Sequence, residues 1–170
     1  MRTLIRFAAC TLGLLLVTNV TSSRAAEVNS SASIGSLVKT AYEQLALIRQ
    51  QLDQASRYIN TTSNRTGGYS GSVHDAGGRG QFADLERSTQ KLSDVSNDVV
   101  RLTAKCGEES HNVAVKFRTL VQRVRSGVSR LESSGSENQA QMTLGKVQHD
   151  LDSTEEQLRS VSGLGGTCSV

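Results

Sequence analysis

The side chains that could do chemistry are few in this 170-residue sequence, and their spacing does not form an active site. His74, His111 and His149 lie in separate segments, so no two histidines share a helix at the spacing that holds a metal ion. No Gly-Lys-Ser/Thr follows the glycine-rich segment, which excludes a phosphate-binding loop. We therefore expect no enzymatic activity, no metal and no cofactor. The carboxylates close enough to act in pairs are interpreted as solvated helix surface; they are Glu108, Glu109, Asp150, Asp152, Glu155 and Glu156.

A run of positive charge is the more informative pattern. Residues 110 to 130 contain no acidic residue, and basic residues recur there at steps of seven. The pattern predicts a basic ridge along one helix, able to bind a sulfated glycan, a phospholipid head group or an acidic protein face. The alternative is that Asp150 and Glu155 neutralise these cations within the protein. The sequence favours this alternative, although two acids are too few to neutralise all five cations. The ridge comprises Lys116, Arg118, Arg123, Arg125 and Arg130.

Four segments with apolar residues at helical spacing must position these side chains. Their apolar residues alternate at steps of three and four, which is the spacing of a heptad seam. Each segment is about 25 residues, or roughly 37 Å at the α-helical rise. Ser136 with Gln139 predicts a capping box at the start of the fourth segment. The four seams span Ile34 to Ile59, Phe82 to Cys106, Val113 to Leu131, and Ala140 to Val161.

The connections between these segments predict their arrangement. Since one narrow seam cannot be buried by a single helix, and the second and third connections are very short, neighbouring helices are expected to be antiparallel. The sequence thus predicts an all-α fold, a four-helix up-down-up-down bundle over residues 33–162, followed by a C-terminal tail over 163–170. Longer coiled-coil hairpins that dimerise are the alternative, so the protein is expected to be a monomer or a homodimer.

The two cysteines outside the N-terminal segment test this topology. Cys106 ends the second helix and Cys168 follows the fourth, and in an up-down-up-down bundle both helices end at the same pole. The topology therefore predicts an intramolecular disulfide between them. Two free thiols, or an intermolecular bridge through the tail, are the alternatives.

A long loop is expected between the first and second helices. Residues 61–80 contain six glycines in twenty residues, a composition typical of a flexible linker. Glycosylation sequons begin at Asn29, Asn60 and Asn64, and in a eukaryotic exported chain they would be accessible at a loop and a disordered N-terminus.

The first 25 residues have the pattern of a signal peptide. Arg2 and Arg6 precede an apolar run over residues 7–17, and Ser23-Arg24-Ala25 matches a small-x-small cleavage site. We therefore expect a secreted, extracellular product that starts with a disordered segment, residues 26–32, and has no stable membrane anchor. Three of the 19 basic residues and none of the 16 acidic ones lie in the signal, so the remaining chain has no net charge. This balance argues against nucleic acid as a partner.

The layout resembles known exported helical proteins. The chain combines a signal peptide, amphipathic helices without proline, sequons, and a cysteine near the end of each of the second and fourth helices. In this layout it resembles small helical proteins secreted into arthropod saliva, gut or haemolymph, which implies a non-enzymatic effector that modulates host or immune cells. Amphipathic bundles also resemble exchangeable apolipoproteins, which implies a lipid carrier. The segment Gln44 to Gln54, followed by Ser63 to Tyr69, is similar to minor pilus subunits of type IV secretion systems, in which the Asn-Arg-Gly turn lacks the Thr66 found here.

Overall fold

The computed structural model describes residues 33–66, 76–166 and 168. Four helices, α1 (Ile34–Thr66), α2 (Ala76–Thr103), α3 (Glu108–Glu132) and α4 (Glu137–Ser162), are followed by a 3-10 helix (Gly163–Gly166), and no strand occurs in these ranges. The first and third helices each pack against the second and the fourth. This closed ring confirms the predicted up-down-up-down four-helix bundle.

The predicted heptad seams form the core. Ile48 of α1, Val99 of α2, Phe117 of α3 and Leu158 of α4 are all fully buried. Burying one such side chain contributes roughly 1.5–3 kcal/mol, so the four seams together supply the main stabilisation of the bundle. The seam of α2 is more polar than the others. Four of its buried hydroxyls donate to backbone carbonyls one turn earlier, as Thr89 does to Glu86 O at 2.9 Å; the other three belong to Ser88, Ser96 and Thr103.

The connections on either side of α3 are four residues each, 104–107 and 133–136. Gly107 has φ 94°, a left-handed conformation that glycine adopts without the steric cost of a Cβ, and this lets the chain reverse before α3. After α3, Ser136 caps the next helix, since its Oγ accepts a hydrogen bond from Gln139 N at 3.3 Å. The predicted start of α4 is thus confirmed, and α3 is held tightly between two antiparallel neighbours.

A disulfide joins the α2–α3 connection to the C-terminal segment, since α2 ends at Thr103, three residues before the predicted end at Cys106. Cys106 and Cys168 are 62 residues apart in sequence, and their Cα atoms are 5.3 Å apart. The pairing predicted from the topology is therefore present. The closed loop contains the whole of α3 and α4.

The first two helices are longer than predicted. α1 continues to Thr66 and α2 begins at Ala76, so residues 61–66 and 76–80, which were expected in the loop, are helical. No proline interrupts these stretches, and Thr61 Oγ1 donates to Arg57 O at 2.7 Å inside the extended α1. A glycine costs only about 1 kcal/mol in a helix, so a helix nucleated by the packed seam continues into glycine-containing sequence.

Several predictions lie outside the described residues. These are the signal peptide (1–25), the disordered N-terminus (26–32) with Asn29, and the central part of the loop (67–75).

Candidate functional site

The five cations of α3 form two rows. Lys116, Arg123 and Arg130 lie on one flank of the helix, and Arg118 and Arg125 lie on the other. With about 3.6 residues per turn, the two rows are separated by roughly 140° to 160° across the exposed face of the helix, and the buried seam lies on the opposite side. Steps of seven keep residues in one row, whereas steps of two or five move them to the other. The ridge expected from the sequence is therefore divided in two.

The flank with Arg123 and Arg130 faces α4, and the two helices approach closely at Gly127. A Cβ at this position would overlap Cγ2 of Val147, a fully buried residue of α4. Valine is β-branched and rigid at χ1, so it has little freedom to move aside. Glycine is thus needed at this crossing, and the backbone there is recessed between the longer side chains around it.

These side chains line a groove of about 760 Å³ between α3 and α4. Arg123 and Arg130 stand about one turn before and after Gly127, and Lys146 and Asp150 stand on α4. The rest of the lining is polar apart from Met142, whose side chain is 67% exposed. The polar residues are Thr119, Gln122, Ser126, Gln139 and Thr143.

Positive charge is in excess in this groove, which holds three cations and one carboxylate. Throughout the parts of the chain that the structure describes, no carboxylate forms an ion pair with Arg123, Arg130 or Lys146. Concave sites lined by one sign of charge concentrate ions of the opposite sign. The groove is therefore an attractive site for an anion.

The internal neutralisation that the sequence favours is not found among the described residues. Asp150 lines the groove without forming an ion pair there, and Glu155 pairs on the opposite flank of α4. Glu155 accepts hydrogen bonds from Arg49 of α1 at 2.5 Å and from Arg159 at 3.2 Å. Asp150 thus lies on the expected flank, whereas Glu155 faces α1 and not α3, because the spacing of residues alone does not show which flank of α4 faces α1.

The α1–α4 flank is electrostatically different. Arg49 bridges Glu155 and Asp152, with Nη2 2.7 Å from the Asp152 carboxylate. The hydrogen bond from Arg49 holds the pKa of Glu155 below its usual range, with partial burial opposing the shift. A smaller groove of about 320 Å³ on this flank is lined by Arg49, Asp53 and Asp152, so its acids outnumber its cations.

The other candidate residues lie away from the α3–α4 groove. Asn60 is exposed on α1 and accepts a hydrogen bond from Gln141 at 3.4 Å, while Asn64 lies in the last turns of that helix. His111 and His149 are on α3 and α4. No group of three or more potential metal ligands occurs within the described ranges.

Sequence reasoning missed Gly127 and Lys146. A signal for both was available: Gly127 lies four residues after Arg123, in the same row, and Lys146 directly precedes Val147 of the α4 seam. To recognise them, one must know which turn of α3 lies against which turn of α4. The length of the connection between the two helices does not specify this.

Comparison with known proteins gives no match: no family model, no curated protein and no solved structure is significantly similar to this chain. Within the described residues, no helix has the length and apolar character needed to cross a membrane.

Proposed function

We propose that this protein is an exported, non-enzymatic interaction module that binds an anionic macromolecule in the groove between α3 and α4. One observation carries the proposal. Arg123, Arg130 and Lys146 converge on this groove, and no described carboxylate pairs with them. An anionic ligand would supply the charge that the bundle itself does not.

Two further features support the proposal. The disulfide between Cys106 and Cys168 is typical of a protein exported to an oxidising compartment. The groove contains hydrogen-bond donors and acceptors but only one exposed apolar side chain, Met142, which suits a polar ligand. Binding to anionic groups at a cell surface would be consistent with the effector of host or immune cells that the arthropod resemblance implies.

The two alternative functions have less support. An exchangeable lipid carrier must open the bundle to expose its apolar seams, and the disulfide between Cys106 and Cys168 opposes opening by tying the α2–α3 connection to the segment after α4. In the segment that resembles minor pilus subunits, Leu45, Ile48 and Leu52 are core residues. Their spacing is therefore explained by the packing of α1.

A charge-reversal variant tests the proposal. The oxidised protein and the variant Arg123→Glu with Lys146→Glu would be compared for binding to heparin, to phosphatidylserine vesicles and to polyglutamate. We expect the wild type to bind at least one of these probes and the variant to bind it at least about tenfold more weakly, with unchanged helicity. Absence of binding to all three probes, or equal binding by the variant, would contradict the proposal.

A further inference from the structure

We infer that the ligand of the α3–α4 groove is a linear sulfated glycan, with sulfo groups bound by Arg123, Arg130 and Lys146. This inference rests on the proposed function and adds the chemical class of the partner. It follows from the spacing of the cations, from the groups between them, and from the shape of the surface.

The cations are arranged for an extended chain with repeated charges. Lys116, Arg123 and Arg130 recur on one flank of α3 at intervals of about 10.5 Å, and so span about 21 Å along the helix axis. Lys146 faces this row from α4, across the groove. A linear polyanion lying along the groove can meet Arg130 and Arg123 in turn, with Lys146 on its other side, and can continue toward Lys116, which lies beyond the groove lining. A single small anion would leave most of them without a partner.

The groups between the cations suit a carbohydrate. Gln122 and Gln139 place side-chain amides in the groove, and Thr119, Ser126 and Thr143 place hydroxyls there. The hydroxyls of Thr119 and Thr143 donate to carbonyls of their own helices, at 2.9 Å and 2.8 Å, so toward a ligand they act as acceptors. Sugar rings carry hydroxyls that exchange hydrogen bonds with such groups. The guanidinium groups can donate two parallel hydrogen bonds to one sulfo group, as they do to phosphate and carboxylate.

An acidic protein partner fits this surface less well. Protein interfaces have a core of apolar and aromatic residues surrounded by a polar rim. Here the lining includes no aromatic residue, and Met142 is its one large exposed apolar side chain. The same lack of aromatics disfavours single-stranded nucleic acid, whose bases stack on aromatic rings.

A membrane surface also fits less well. The crossing at Gly127 is recessed between two helices, and a flat array of head groups cannot enter a groove as a single chain can. Helices that lie on membranes insert an apolar face into the lipid, and the groove offers only Met142 for this.

The two rows of α3 provide a matched experiment. The variant Arg123→Gln with Arg130→Gln removes two cations from the groove. The variant Arg118→Gln with Arg125→Gln removes two cations from the other row, with the same spacing, on the same helix. Binding of the oxidised full chain and of both variants would be measured on heparin, with desulfated heparin, phosphatidylserine vesicles and polyglutamate as further probes.

We expect the groove variant to bind heparin at least about tenfold more weakly and the control variant to change binding less than about twofold. Desulfated heparin should not bind measurably. If the protein bound vesicles or polyglutamate more tightly than heparin, and the groove variant lost this binding, the inference of a glycan ligand would be overturned and the proposed function would stand. Equal weakening by both variants, or no binding to any probe, would overturn both.

Discussion

The two flanks of α4 are held by different means. Toward α1, Arg49 bridges Asp152 and Glu155, so opposite charges meet across the interface. Toward α3, three cations share a groove with one acid, and no described carboxylate pairs with them. One flank uses its charges to hold helices together, and the other leaves its charges available.

Chain connectivity gives a physical reason for this difference. The connection from α3 to α4 is four residues, and the disulfide closes a loop around both helices. Their pairing therefore has a small remaining entropic cost and does not need specific ion pairs. α1 is separated from α4 by two helices, so the contacts of Arg49 help to specify the last pairing of the ring. Covalent constraint thus leaves the surface of the α3–α4 flank free for binding.

Removing the disulfide is expected to have the largest effect on this comparison. The variant Cys106→Ser with Cys168→Ser should lower the free energy of unfolding by about 4 kcal/mol, since a cross-link over about 60 residues restricts the unfolded chain by that amount. Denaturant unfolding followed by circular dichroism measures the loss. A loss below about 1 kcal/mol would show that the constraint does little for α3 and α4.

The close crossing at Gly127 gives the next largest effect. Gly127→Ala should destabilise the protein by about 1–3 kcal/mol, because the new Cβ overlaps Val147 in the core. Gly145→Ala is the matched control, since Gly145 is also inside a helix and has no atom within 4 Å of the added Cβ. The control should stabilise the protein by about 0.5–1 kcal/mol.

Thermal unfolding of both variants separates these contributions. Stabilisation by both substitutions would mean that α3 and α4 do not approach closely at Gly127. The heparin affinity of Gly127→Ala adds a second readout, because a wider crossing would move Arg123 and Arg130 away from Lys146.

The bundle itself was predictable from the sequence. Seams such as Ile34 to Ile59 have a spacing that only a helix satisfies, and the short connections around α3 fixed its neighbours. The disulfide was predictable from the same topology, since this topology places Cys106 and Cys168 at the same end of the bundle. These features depend on period and chain length, which are local properties of the sequence.

The groove was predictable only in part. Arg123 and Arg130 were identified by their step of seven. Their separation from Arg118 and Arg125 depends on positions around the helix axis, and the predicted ridge took account only of positions along that axis. The partner of Glu155 depends on which flank of α4 meets α1, and this is decided by packing of the whole ring. The helix ends at Thr66 and Ala76 were also missed. Residues 61–66 contain no glycine or proline that would stop α1, and the glycines of residues 76–80 weaken α2 without stopping it.

Removing one arginine from each flank tests the comparison directly. Arg49→Met keeps an apolar stem and removes the charge, and should lower the free energy of unfolding by up to about 1 kcal/mol at neutral pH. Arg123→Met should change it by less than about 0.5 kcal/mol, since no described carboxylate pairs with Arg123. Equal losses in both variants, measured by denaturant unfolding, would mean that the two flanks do not differ in how their charges act.

The smallest expected effect is the pH dependence of the α1–α4 flank. Because Arg49 lowers the pKa of Glu155 in the folded protein, this carboxylate stabilises the fold above its unfolded pKa, and the stabilisation is lost as the pH falls through the folded value. Glu155 is partly solvated, so solvent screening keeps the effect small. Nuclear magnetic resonance titration of the Glu155 carboxyl should show a pKa that rises in Arg49→Met and is unchanged in Arg123→Met. A rise in both variants would show that Glu155 responds to the field of the whole bundle, and the assignment of its charge to one flank would then fail.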